Sequence, residues 1–130
     1  MSNVLFVCVQ NAGRSQIAQS LFTRAAGGRH GARSAGSRPA EHVHAPVVQV
    51  MDELGVALGG NVPRKLDEDD LLWADLVVTM GCGDDCPHVP GRRYIDWELD
   101  DPAGRTLADV RRVRDDIGAR VEALLTELDT

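Results

Sequence analysis

The chain has little of several things. One lysine, two tryptophans, two phenylalanines and one tyrosine stand in 130 residues. No apolar run approaches the length of a membrane span. The start, Met1-Ser2-Asn3, has no basic segment and leads into an apolar stretch too short for a secretory signal, so a cytoplasmic protein is expected. The net charge of −6 argues against a nucleic-acid binder, although a local basic pocket stays open. Only three cysteines are present, too few for a disulfide framework in that compartment. Their expected uses are catalysis, redox chemistry or metal binding. With 43% apolar and 26% charged residues, the chain is expected to fold as one globular domain over 1–130.

What is present is concentrated near the start. The apolar run Val4-Leu5-Phe6-Val7 leads into Cys8-Val9-Gln10-Asn11-Ala12-Gly13-Arg14-Ser15. A buried strand followed by a short loop and a helix is how α/β proteins build an oxyanion cradle. Loop N–H groups from Val9 to Arg14 point inward, and the helix adds the positive end of its dipole. Arg14 can grip two oxygens of a tetrahedral anion with its planar fork. Cys8 sits in the same positive field, which favours a nucleophilic thiolate. Ser15 can hydrogen-bond that thiolate or a leaving group. A buried structural cysteine beside a capping loop is the plain alternative. It leaves unexplained an arginine six residues on, at the carboxyl end of a strand.

Periodicity supplies the frame. Strands are expected over Val4–Cys8, around His30–Ser34, over Leu76–Met80 and, as an edge, over Arg93–Trp97. Helices are expected over Arg14–Ala26, Pro46–Leu54 and Thr106–Leu128, with a helical turn over Asp67–Leu72. Ser34–Pro39 is expected as a loop. Alternating strands and helices imply a parallel sheet covered on both faces. Trp73 is expected in the core. His30, His42 and His44, and the arginines at 111, 112 and 114, are expected in solvent.

Two further loops carry chemistry. Gly81-Cys82-Gly83-Asp84-Asp85-Cys86-Pro87-His88 places two thiols four residues apart. They could be inert, could hold a metal with His88 or Cys8, or could relay a disulfide. Asp100-Asp101-Pro102 places carboxylates where one could protonate a leaving oxygen, or could simply be a turn before the last helix.

Cys8–Ser15, the Leu76–Met80 strand with its cysteine loop, and Asp100-Asp101-Pro102 together resemble the low-molecular-weight protein tyrosine phosphatase fold. Within it the chain is similar to arsenate reductases of the three-cysteine, thioredoxin-coupled type. The resemblance implies an α/β three-layer sandwich with a central four-stranded parallel sheet. It also implies roles. Cys8 would attack arsenate held by the Val9, Gln10, Asn11, Ala12 and Gly13 amides and Arg14, with Asp101 as acid. Cys82 would attack Cys8, and Cys86 would attack Cys82, leaving a Cys82–Cys86 disulfide for thioredoxin. No bound cofactor and no metal are implied, and phosphate or sulfate would mimic the substrate. The chain would act as a monomer, with no nucleic-acid or membrane partner.

The chain departs from that pattern in places. Only three residues separate Cys82 and Cys86, fewer than is usual. Gln19 stands where some relatives have a glutamate associated with potassium, and Val62-Pro63-Arg64 do not supply matching ligands, so no potassium site is expected. Position 13 is glycine instead of a second cysteine. Two other functions share the scaffold. A phosphatase would use the same cradle, but the loop after Asp101 lacks an aromatic wall, with Trp97 the only aromatic near it. A thiol-based arsenite or metal binder would use Cys82, Cys86 and His88 or Cys8 without turnover. The Arg-rich, Lys-poor composition is that of high-GC bacteria, some of which use mycothiol and a mycoredoxin as electron donor; the cysteine pair favours thioredoxin.

Overall fold

A computed structural model describes residues 1–82 and 91–130. Four strands, β1 (Asn3–Cys8), β2 (Gly31–Gly36), β3 (Leu76–Thr79) and β4 (Arg93–Asp96), pair in parallel in the order β2-β1-β3-β4. The helices are α1 (Arg14–Ala26), α2 (Ala45–Asp52), α3 (Glu68–Trp73) and α4 (Leu107–Leu128). Among the described residues no helix is long and apolar enough to cross a membrane.

Alternation along the strands sorts the core into two layers. Val4, Phe6 and Cys8 of β1 and Leu76 and Val78 of β3 face α1, α2 and α4, packing with Ile17, Phe22, Val47, Met51, Val110 and Ile117. Leu5, Val7 and Val77 face the other way, toward Leu71 and Ala74 at α3. Helices thus cover both faces, as expected. Trp97 is buried against Phe6, ring centroids 5.9 Å apart.

β2 runs two residues further than expected, so Ser34-Ala35-Gly36 are strand, not loop, opposite Phe6-Val7-Cys8. Small residues are required there: a Cβ on Gly36 would lie 2.6 Å from the Val9 carbonyl oxygen. α3 is a true helix, opened by a reciprocal capping box between Asp67 and Asp70.

Several charged residues are not where the sequence suggested. Arg114 is buried, donating to the Val50 carbonyl at 2.8 Å and to Glu53 at 2.8 Å. Arg111, half-exposed, grips both Glu53 oxygens from the solvent side. The His30 side chain is 5% exposed, accepting from the Ser2 N–H at Nδ1 and pairing with Asp129 at Nε2. Trp73 is half-buried, with Arg33 4.3 Å above its ring.

The hydrogen bonds from Arg111, then those from Arg114, pull the Glu53 carboxyl down from 4.5 to about 2. A depressed carboxylate stabilises the fold fully above its unfolded pKa, and that contribution is lost as pH falls toward the folded one. The parent should therefore lose melting temperature faster than Glu53→Gln between pH 4.5 and about 2. Parallel curves in thermal melts would remove the pair from the account.

Candidate active site

β1 lies at the centre of the sheet, with β2 on one side and β3 on the other. The chain leaves its carboxyl end where the strand order reverses, the place where open parallel sheets bind ligands.

The loop after Cys8 is held from outside by its carbonyls. Cys8 O accepts from Ser37 N, Val9 O from Arg38 N, Gln10 O from Ala40 N and Ala12 O from His44 N, at 2.8 to 3.2 Å. Asn11 O accepts from the Gln16 side chain at 3.1 Å, and Gly13 O from Ile17 N at 3.0 Å. Six successive carbonyls point outward. Because each peptide is planar and trans, the N–H groups of Val9 to Arg14 point the other way, into the loop. Asn11 makes the turn possible at φ 50°, a left-handed conformation that asparagine tolerates.

The helix that follows starts at the loop with its first amides uncapped by a side chain, as those of α2 also are. α3 carries a capping box, and Thr106 caps α4 by accepting the Asp109 N–H. α1 begins at Gly13 with no side-chain cap and no acidic residue in its first turn. Its dipole and first amides therefore face the cradle uncompensated.

Around this loop lies a cavity of about 510 Å³, lined among others by Cys8, Gln10, Arg14, His44, Gly81, Leu99 and Asp101. Cys8 is a free, buried thiol with Ser15 Oγ 2.9 Å from its sulfur. Asn11 Nδ2 donates to the same Ser15 oxygen at 2.7 Å. Arg14 is 8% exposed, and its Nη2 lies 3.8 Å from Asp101 Oδ2. Asp101 is exposed, and its other oxygen accepts the Ala103 N–H at 3.0 Å. Pro102 rests on the loop itself: a Cβ at Gly13 would lie 3.1 Å from its Cγ. The cradle residues and the Asp-Pro loop thus meet, as the sequence suggested.

Cys82 is placed differently. Its side chain is buried in the opposite layer with Leu5, Val7 and Leu71, the sulfur 4.0 Å from the Val7 carbonyl oxygen. It is disulfide-bonded. Cys86 and His88 lie outside the described residues. Among the described residues no cluster of His, Cys, Asp and Glu could hold a metal ion. Gln19 Oε1 accepts the Ser34 hydroxyl at 2.5 Å.

Three residues at the site carry no functional signal in the sequence. His44, solvent-accessible as expected, also lines the cavity wall, its Nε2 3.0 Å from Gln10 Oε1. Leu99 carries no chemical signal in a sequence. Gly81 carries one that is legible only in three dimensions. It has φ 79°, and a Cβ there would overlap Arg14 Nη1. Gly81→Ala should weaken phosphate binding roughly ten- to a hundredfold, because moving the fork costs a charge-assisted hydrogen bond of about 1.5–3 kcal/mol. Unchanged affinity in titration calorimetry would show that Arg14 does not need that space.

Residues 3–130 match the low molecular weight phosphotyrosine protein phosphatase family. A thioredoxin-dependent arsenate reductase of Corynebacterium glutamicum superposes with a TM-score of 0.83 at 40% identity. The match takes in 99% of this chain, which spans 62% of that one. An arsenate reductase of Brevibacillus brevis is 35% identical over 92% of this chain and 90% of its own. A glutaredoxin arsenate reductase of Synechocystis is 30% identical over 98% of this chain and 99% of its own.

Proposed function

For a chain that belongs to the low molecular weight phosphotyrosine protein phosphatase family, and whose relatives include arsenate reductases, we propose that the activity is reduction of arsenate to arsenite. The observation that carries the reductase over a hydrolase is Cys82, the third residue after β3, which opens from the same sheet edge as the cradle.

Arsenate sits in the ring of amides from Val9 to Arg14, gripped by the Arg14 fork. The Cys8 thiolate attacks arsenic, and Asp101 gives its proton to the departing oxygen, which leaves as water. Ser15 donates to the thiolate before attack, since a thiolate can only accept. Cys82, as a thiolate, then attacks Cys8 Sγ. The S–As bond breaks with its electron pair going to arsenic, so As(V) becomes As(III) and arsenite leaves. A Cys8–Cys82 disulfide remains. Cys86 attacks Cys82, releasing the Cys8 thiolate and forming the Cys82–Cys86 disulfide, which an external dithiol reduces. Support comes from the free Cys8 thiol at the cradle and from Cys82 in the loop that follows the neighbouring strand β3. Cys82 lies on the far layer from Cys8. Its attack therefore requires the Cys82 side chain to leave that layer.

Thioredoxin is the proposed donor, working on one domain spanning 1–130. The test is NADPH oxidation coupled through thioredoxin reductase and thioredoxin, with arsenate. Parent protein should turn over repeatedly, and Cys82→Ser and Cys86→Ser should not. Full turnover by Cys86→Ser would remove the relay. No reduction together with hydrolysis of a phenyl phosphate would make the chain a phosphatase. Turnover with a glutaredoxin-like or mycothiol system alone would keep the reductase and replace the donor.

A further inference from the structure

Outside the residues that line the cavity lies a charged cluster of Asp70 with Arg64 and, at 3.4 Å, Arg33, which the reaction described above does not use. Asp70 is fully buried, and Arg64 Nη2 donates to both its oxygens at 2.9 and 3.1 Å. Arg64 Nη1 donates to the Ser34 carbonyl at 2.8 Å. One guanidinium therefore fastens α3 to the end of β2. The backbone of the same residue reaches the cradle. Arg64 N donates to Asn11 Oδ1 at 2.9 Å, and Arg64 O accepts from Gly36 N at 2.8 Å.

The backbone bond decides an orientation. A side-chain amide can be turned either way, but a backbone N–H can only donate. Arg64 N therefore makes the Asn11 atom facing it the oxygen. The Asn11 nitrogen is then the atom that faces Ser15, where it donates to Oγ at 2.7 Å. Ser15 Oγ, holding that bond on a lone pair, has its own hydrogen available for Cys8 Sγ, 2.9 Å away. Gln16 Nε2 also reaches Asn11 Oδ1, at 3.2 Å, but it is itself a side-chain amide.

We propose that Arg64 is a positioning residue for the nucleophile. Its N–H sets the Asn11 amide so that Ser15 donates to Cys8, and its guanidinium, pinned between Asp70 and the Ser34 carbonyl, holds that N–H in place. Burial alone would push the Asp70 carboxyl up. The hydrogen bonds from Arg64 and the Asp67 N–H outweigh it and keep the group below its ordinary value, so the pin is charged at neutral pH. A lysine cannot replace it fully, because one ammonium on a flexible stem does not span a carboxylate and a carbonyl with fixed geometry.

The proposal rests on the nucleophilic role of Cys8. Its test therefore reads the thiol without arsenate, so that failure of the reductase reading and failure of the positioning role are separate results. The rate of Cys8 alkylation by iodoacetamide at neutral pH, followed by peptide mass spectrometry, is compared among parent, Arg64→Ala and Arg64→Lys, with thermal melts alongside. Arg64→Ala should slow alkylation about tenfold, and Arg64→Lys should recover part of the rate. In arsenate turnover, kcat should fall in the same order while KM stays within twofold. Should Arg64→Ala fail to fold, Arg64→Lys and Asp70→Asn carry the same comparison. A lowered melting temperature with an alkylation rate equal to the parent's, in whichever variants fold, would make Arg64 structural only and overturn the proposal.

Discussion

Cys8→Ser should bind phosphate at least as well as the parent and reduce no arsenate. Binding survives because the anion is held by backbone N–H groups whose carbonyls are anchored outside the loop and by Arg14, none of which the substitution touches. It could even tighten, since a thiolate beneath the anion repels it and a hydroxyl does not. Turnover disappears for two reasons. A serine hydroxyl is a weak nucleophile without an adjacent base, and no disulfide can form at that oxygen, so no electrons can reach arsenic. Loss of a nucleophile that acts as part of a unit costs on the order of 10⁶ in rate, which here means background. Arsenite release in single turnover, beside phosphate titration calorimetry, gives both readings. Retained reduction would dismiss Cys8 as the nucleophile; lost phosphate binding would mean that the thiol shapes the cradle.

Arg14→Lys should lower kcat/KM for arsenate on the order of 10²–10³, the usual loss when one preorganised oxyanion donor is removed. The charge is conserved, so the effect isolates geometry. Arg14 is nearly buried and its guanidinium is boxed in by Gly81 and Asp101. Those neighbours restrict where the fork can go. A lysine ammonium offers a point charge on a flexible stem and cannot make two parallel hydrogen bonds. A variant within threefold of the parent in steady-state kinetics would show that charge alone suffices.

The parts of this site that were readable from sequence are those built by local pattern. The apolar run into Cys8 and the 3.6-residue spacing of Ile17, Ala18, Leu21 and Phe22 placed β1 and α1 within a residue of where they lie. The parallel sheet followed from alternation. What stayed hidden depends on partners far away in the chain. Arg114 looked solvated because its acceptors, Val50 O and Glu53, are about sixty residues earlier. His30 looked solvated because its partner Asp129 is ninety-nine residues later. The outer support of the cradle comes from the backbone N–H groups of Ser37, Arg38, Ala40 and His44, and backbone donors leave no trace in residue type. Arg64 and Asp70, six residues apart, carry no sequence signal of their pairing. Their meaning depends on Ser34 and Asn11, which the fold brings to them.

The missing cap of α1 has a thermodynamic meaning. Four helical N–H groups at the start of a helix need partners; in α3 and α4 a cap side chain takes one of them, while α1 and α2 have no such cap. An anion bound in the cradle as proposed would be the partner of α1, so it would complete the folded structure as well as occupy it. By mass action, an anion at a hundred times its dissociation constant adds about 2.7 kcal/mol to the folding free energy. Under the proposed function, substrate supply and resistance to unfolding would be one linked equilibrium.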